Sequence, residues 1–226
     1  MNHYIPRLFE FLRQLARNND RAWFQANKAE FDDLRQAWLA DLDRVIAAMT
    51  AWEPGMAAQT GRSAAYRIYR DTRFSADKSP YKTYFSAAFS PQGRKSDRAG
   101  YYLELSPFES HQSGLYGGLW CMERPVLNKL RRAIVDNVEE WEDILNNPEL
   151  KKAFPQWCSS MLKTIPKGWD RDHPQAFYLR MTNYGLFAPL QEDYFLSRSW
   201  PEETARRFHA LKPFCDFLNY SIDEEV

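Results

Sequence analysis

Tyr81-Lys82-Thr83-Tyr84-Phe85-Ser86-Ala87-Ala88-Phe89 and Tyr101-Tyr102-Leu103-Glu104-Leu105 are the stretches on which the fold turns. Upstream of them the apolar residues recur every three or four positions. Here the pattern passes toward alternation, with aromatic and small or β-branched residues that suit a pleated, half-buried surface. Tyr66-Arg67-Ile68-Tyr69 shares that composition, so three strands are expected. A fourth is expected near Ser113 to Trp120, where Gly114, Gly117 and Gly118 permit bends or close backbone approach. Turns at Pro91-Gln92-Gly93 and Ser106-Pro107 are short, which suits antiparallel neighbours.

Helical spacing frames this central region. Ile5, Leu8, Phe9, Leu12, Leu15 and Ala16 form one stripe, with Pro6 near the start where its missing amide costs little. Asn18-Asn19-Asp20 then supplies a stop and a side-chain N-cap for a second, longer helix with Phe31, Leu34, Trp38, Leu42, Val45 and Met49 on its seam. The two helices are expected to form an antiparallel hairpin. Downstream, Pro125 opens a third long helix through Leu127, Leu130, Ile134, Val138, Trp141 and Leu145, closed by Asn146-Asn147-Pro148. Its acidic cluster Asp136, Glu139, Glu140, Glu142 and Asp143 reads as a solvated face. Phe154 to Asp193 holds no sustained period and reads as short elements and loops. Ser199-Trp200-Pro201-Glu202 fits a capping box, and Pro213 restarts the last helix before Phe214, Phe217 and Leu218. The expected class is α+β: one domain over residues 1–226, its central antiparallel sheet flanked by an N-terminal helical hairpin and C-terminal helices.

The chain has 226 residues, 44% hydrophobic and 27% charged, the balance of a globular protein that buries a core without disulfide or metal staples. Thirty basic residues against thirty acidic ones weigh against a uniform attraction to DNA or to an acidic membrane. No stretch approaches the roughly 18 apolar residues of a membrane span. Arg7 and Glu10 interrupt the opening segment where a signal peptide has its apolar centre, so a cytoplasmic location with no membrane association is expected. Cys121, Cys158 and Cys215 are odd in number and far apart, which suggests reduced, mostly buried thiols.

The local charge balance departs from the average between residues 67 and 82. Arg67, Arg70, Arg73, Lys78 and Lys82 face only Asp71 and Asp77 within the run. Arginine forks grip phosphate or carboxylate oxygens in pairs, lysine adds a point charge, and the hydroxyls of Thr72, Ser75 and Ser79 donate alongside. The run therefore suits an anionic small molecule. The alternative is that Asp71 and Asp77 pair with these bases and pin a crossing loop. Arg21, Asn27 and Lys28 open the second helix, where free amides and the dipole also favour an anion, and they extend the candidate site. Lys167, in Pro166-Lys167-Gly168, offers one more cation. Asp71, Asp77 and His173, the last flanked by Asp172 and near Asp170, are the candidate proton carriers. Tyr66, Tyr69, Phe74, Tyr81 and Tyr84 interleave with the bases as base-stacking residues do, which keeps a nucleic-acid partner open. His3, His111 and His209 stand at no diagnostic interval from His173, so no metal site is expected. No nucleophile elbow, Walker lysine loop, Rossmann glycine pattern or Cys/His pair is present, and no cofactor is suggested.

The run Arg70-Asp71-Thr72-Arg73-Phe74-Ser75-Ala76-Asp77-Lys78-Ser79-Pro80-Tyr81-Lys82 has an order that no helix or strand period generates. Asn18-Asn19-Asp20-Arg21-Ala22-Trp23-Phe24 and Asn27-Lys28 precede it. Gly117-Gly118-Leu119-Trp120 and Pro166-Lys167-Gly168-Trp169, leading to Asp172-His173-Pro174, follow it. Together these motifs resemble the domain of unknown function 2461 family of bacteria and fungi over nearly the whole chain. The sequence departs from that pattern where Cys121 and Met122 stand after the Gly-Gly turn, a place where the family commonly has proline. The resemblance implies a single soluble α+β domain and brings no activity or cofactor with it. The expected function is thus an enzyme or binder of a phosphorylated or carboxylated small molecule. The alternatives are a nucleic-acid-binding module, or a structural or interaction domain in which the motif is a folding lock.

Overall fold

The computed structural model describes residues 4–120 and 122–224. Helix α1 (Ile5–Arg17) ends at Asn18, whose amide side chain turns back to the Gln14 carbonyl. Asp20 then caps α2 (Arg21–Ala26) by accepting the Trp23 N–H at 2.9 Å. The long second helix expected from the apolar seam is two helices, because Asn27 donates its side-chain amide to the Trp23 carbonyl and breaks the path before α3 (Lys28–Met49). After a short α4 (Gly61–Ala64) come β1 (Phe85–Phe89), β2 (Gly100–Phe108) and β3 (His111–Leu119). The third long helix is likewise split at Asn137, into α5 (Arg124–Asp136) and α6 (Val138–Asn146). Then follow α7 (Pro148–Ala153), β4 (Gln156–Trp157), α8 (Ala176–Leu179), β5 (Tyr184–Pro189), α9 (Trp200–Ala210) and α10 (Lys212–Asp223). The class is α+β, with one antiparallel sheet in the order β1-β2-β3-β5-β4. Gln156 pairs with Phe187 and Trp157 with Leu186.

Three local expectations are corrected. Ser106-Pro107 is not a turn: β2 runs through it, and Ser113 of β3 both donates to the Ser106 carbonyl and accepts its N–H. β5 is one of the short elements in the region read as short elements and loops; its period is hidden because five of its six residues are buried and leave no alternation to read. Glu202 does not complete a capping box and instead takes two bonds from the Arg44 guanidinium. Tyr66–Tyr69 forms no strand of the sheet; isolated antiparallel bridges Ala65–Ala87 and Tyr69–Tyr81 join this stretch to the 81–87 segment. Of the cysteines, Cys215 is buried and Cys158 partly exposed, neither in a disulfide, while Cys121 and His3 lie outside the described residues. Among the described residues no helix is long and apolar enough to cross a membrane.

The chain divides into two compact units. The first comprises Met1–Arg94, Tyr102–Leu115 and Pro189–Arg206. In it α1 packs on α3, and Leu8, Leu12, Leu34 and Leu42 are fully buried. Trp38 stacks on Trp200 at 5.6 Å between ring centroids and sets its edge against Phe85 of β1. Phe24 stacks face to face on Tyr81 at 4.0 Å, which ties α2 to the segment leading into β1.

The second unit comprises Lys95–Tyr101, Tyr116–Ala188 and Arg207–Val226. Its centre is Trp141, fully buried and surrounded by Phe214, Phe217, Tyr178 and Tyr184. Here the glycine expectation for the fourth strand finds its reason. Gly118 has φ +139°, and a Cβ at this position would stand 2.1 Å from the Tyr184 carbonyl oxygen.

Candidate functional site

The basic run is a loop suspended between two antiparallel extended segments of the first unit. Tyr69 pairs with Tyr81, the Arg70 N–H reaches the Pro80 carbonyl, and the Lys82 N–H reaches the Ile68 carbonyl at 2.7 Å. Further along, the Tyr66 N–H bonds the Ser86 carbonyl. One side thus advances two residues, from 68 to 66, while the other advances four, from 82 to 86. The two extra residues are accommodated around Thr83 and Tyr84, a bulge that re-aims the side chains beside it. Asn19 clamps the base of the loop by donating to the Tyr81 carbonyl and accepting its N–H.

Within the loop the two aspartates are engaged. Asp71 accepts the Arg73 backbone N–H and a fork of two guanidinium bonds at 3.0 and 2.7 Å, and this draws its carboxyl down to about 2. Asp77 accepts both the hydroxyl and the N–H of Ser79 and pairs with Arg70, so its carboxyl also lies well below the ordinary range. Lys78 donates to the Thr72 carbonyl. Both ion pairs are exposed, with the Arg73 side chain 77% open to solvent, so they order the loop without forming a buried charge network. Phe74, at the loop tip, is 95% exposed and has the Arg73 guanidinium over its ring.

Beneath the loop lies a cavity of about 570 Å3. Arg70, Asp71, Asp77 and Lys82 line it, together with Asn19, Tyr84, Ser110 and His111, and all belong to the first unit. Lys82 is the cation there without a carboxylate. Its ammonium has no ion pair or hydrogen bond among the described residues and sits 5.2 and 5.5 Å from the ring centroids of Tyr66 and Tyr84. Burial lowers its pKa, and nearby Arg67 pushes the same way against the attraction of Glu104. His111 stacks on Tyr84 at 4.6 Å, with its Nδ1 3.5 Å from Glu104 Oε1. The other Glu104 oxygen accepts the Tyr102 hydroxyl at 2.7 Å. Glu104 is only 8% exposed, and burial raises its pKa while Tyr102, His111 and Lys82 pull it back.

Of the residues expected at the site, then, the cavity brings together Arg70, Asp71, Asp77 and Lys82. Arg67, Arg73 and Lys78 are nearby in the same segments but do not line it. Arg21 is exposed, Asn27 bonds its own helix, and Lys28 pairs with Asp32 at 2.6 Å, so it is Asn19, in the turn before α2, that lines the cavity rather than these three. Lys167 and His173 belong to the second unit, where the His173 Nδ1 accepts the Gln175 N–H as a turn contact. Sequence reasoning did not single out Glu104, Tyr102 or His111. The signal available was that Tyr102 and Glu104 share the polar face of an alternating strand whose Leu103 and Leu105 turn the other way. Among the described residues no group of three His, Cys, Asp or Glu side chains is arranged to hold a metal.

The family model described as conserved hypothetical protein (DUF2461) matches residues 7–217, and the chain belongs to that family. No curated protein and no solved structure matches it.

Proposed function

We propose that this member of the DUF2461 family binds a small phosphorylated or carboxylated molecule in the cavity beneath the loop and exchanges a proton with it. The observation that carries the reading is Lys82: a half-buried ammonium with no carboxylate partner among the described residues, lining a cavity into which Arg70 and His111 also reach. A desolvated cation without a counterion favours an anionic ligand, since the ligand's charge offsets the burial that the protein alone does not offset. Arg70 shares its charge with an exposed aspartate and can turn part of its fork to ligand oxygens. Glu104 near Nδ1 of His111 biases the ring toward using Nε2 for proton transfer. Glu104 does not line the cavity and acts here as a positioning residue.

The test is calorimetric titration with inorganic phosphate and with glycolate. Binding of either that is lost in Lys82→Met and weakened in Arg70→Gln supports the reading. Unchanged binding in both variants, or none in the parent, defeats it. A second reading has its own support: the Asp71 fork and the Asp77 cap favour a folding lock for the outer loop. It assigns that loop to architecture and makes no demand on Lys82. Salt-sensitive binding of an oligonucleotide in place of small anions would favour a nucleic-acid module instead.

A further inference from the structure

Lys82 differs from the other lysines of its neighbourhood. Lys78 donates to a backbone carbonyl and Lys28 to a carboxylate, whereas the Lys82 amine lies between two tyrosine rings with no bonded partner among the described residues. It lines the same cavity as Arg70, which suits an anionic group, and as Ser110 and His111. We propose that Lys82 is the nucleophile of this cavity and forms an imine with ligands that carry an aldehyde or ketone beside a carboxylate or phosphate. The proposal rests on the anion-binding reading of the same cavity.

The chemistry balances without an oxidant or reductant. Lys82 gives one proton to solvent water, and the freed amine attacks the carbonyl carbon of the ligand. The N–C bond forms as the carbonyl π pair moves onto oxygen, and one proton passes from nitrogen to that oxygen. Solvent then returns a proton to the new hydroxyl, which leaves as water while the nitrogen lone pair closes the C=N bond. In sum, an ammonium and a carbonyl become an iminium and water, with the charge conserved. That conservation fits the surroundings. The iminium keeps its positive charge between the Tyr66 and Tyr84 rings and near Glu104, so the pocket that holds the cation before the reaction also holds it afterwards. Desolvation of the amine assists the attack itself by favouring the neutral form.

The experiment is reductive trapping on the full chain. Glyoxylate and glycolaldehyde phosphate are the carbonyl probes, acetaldehyde is the uncharged control, and cyanoborohydride is the reductant, with lysine modification read by peptide mass. The expected result is modification of Lys82 at least about tenfold faster than any other lysine by one of the anionic aldehydes. That preference should be absent with acetaldehyde and reduced in Arg70→Gln. Whether glyoxylate or the phosphate probe reacts faster distinguishes the two anions. Lys82→Arg, which keeps the charge but cannot form the imine, should lose the fast adduct while unfolding at the parent's urea midpoint. Modification of Lys82 at the rate of surface lysines overturns the proposal, and this comparison within the parent chain stands even if the variant fails to fold. If glycolate or phosphate binds and no preferred adduct forms, the imine falls and the anion reading remains. If neither anion binds and no adduct forms, both fall.

Discussion

Trp38→Ala tests the scaffold that carries the cavity. The indole is 2% exposed, stacks on Trp200 at 5.6 Å and touches the Phe85 ring at 5.8 Å. Phe85 immediately follows Tyr84, the ring shared by Lys82 and His111. The gap beside Trp38 has a volume of about 10 Å3, too small to admit more than one water, so truncation opens a new void and does not enlarge an old one. Removing a buried tryptophan costs about 3 to 5 kcal/mol, and the two ring contacts place this site toward the upper end. Against a total stability of about 5 to 15 kcal/mol the loss is large, and for a chain of this size it lowers the midpoint of thermal unfolding by roughly 6 to 20 °C. The assay is urea unfolding followed by far-ultraviolet circular dichroism, with Trp38→Phe as a milder companion that keeps a ring against Phe85. Where Trp38→Ala still folds, phosphate binding should weaken with it, because the floor under Tyr84 is gone. A loss of less than about 1 kcal/mol, or full binding in a destabilised protein, would refute the link between this stack and the site.

Gly118→Ala should prevent stable folding or lower the unfolding midpoint more than Gly168→Ala does. Its Cβ would meet the Tyr184 carbonyl at 2.1 Å, whereas Gly168 has open space around it despite a positive φ of its own, and the two urea midpoints decide the matter. Glu104→Gln should gain stability relative to the parent as pH rises from acid to neutral. A carboxyl whose folded pKa is raised by burial contributes fully below its unfolded pKa and loses that contribution as pH climbs through the folded value, a loss the amide does not suffer. Unfolding free energies measured across that range should show the gap widening with pH; a narrowing gap would mean that Lys82 and His111 outweigh desolvation. Arg73→Gln should leave the urea midpoint unchanged, since the pair with Asp71 is exposed, while the Asp71 carboxyl moves from about 2 back toward the ordinary value near 3.9. Carbon-detected NMR titration of Asp71 reads this shift, and an unmoved value would mean that the fork with Arg73 is not its cause.

The helices were legible because burial there is one-sided. Ile5, Leu8, Leu12, Leu34, Trp38 and Leu42 all face the core as their spacing requires. The breaks at Asn27 and Asn137 escaped notice because the apolar seam runs on past them, and only the asparagine side chains, each bonded to a carbonyl four residues back, interrupt the backbone path. β5 escaped for the opposite reason, since a strand buried on both faces has no period to detect. The site divides along the same line. The density of charge between residues 67 and 82 marked the loop, yet ions within that run, Arg73 with Asp71 and Arg70 with Asp77, satisfy one another, which a count of charges cannot reveal. The residues to which the proposed function gives chemistry are those whose partners come from elsewhere in the chain: Lys82 from the bulge after the loop, Glu104 from β2, and His111 from the start of β3. Each looks ordinary in its own segment, a base in a basic run, an acid in an alternating strand, a histidine at a turn. Their significance arises from a hairpin that returns His111 beside Glu104 and from a bulge whose Tyr84 ring meets both His111 and Lys82. The part of the motif most conspicuous in sequence therefore shapes the loop, while the groups suited to proton transfer and to holding an anion gather at its base, where only the folded chain brings them together.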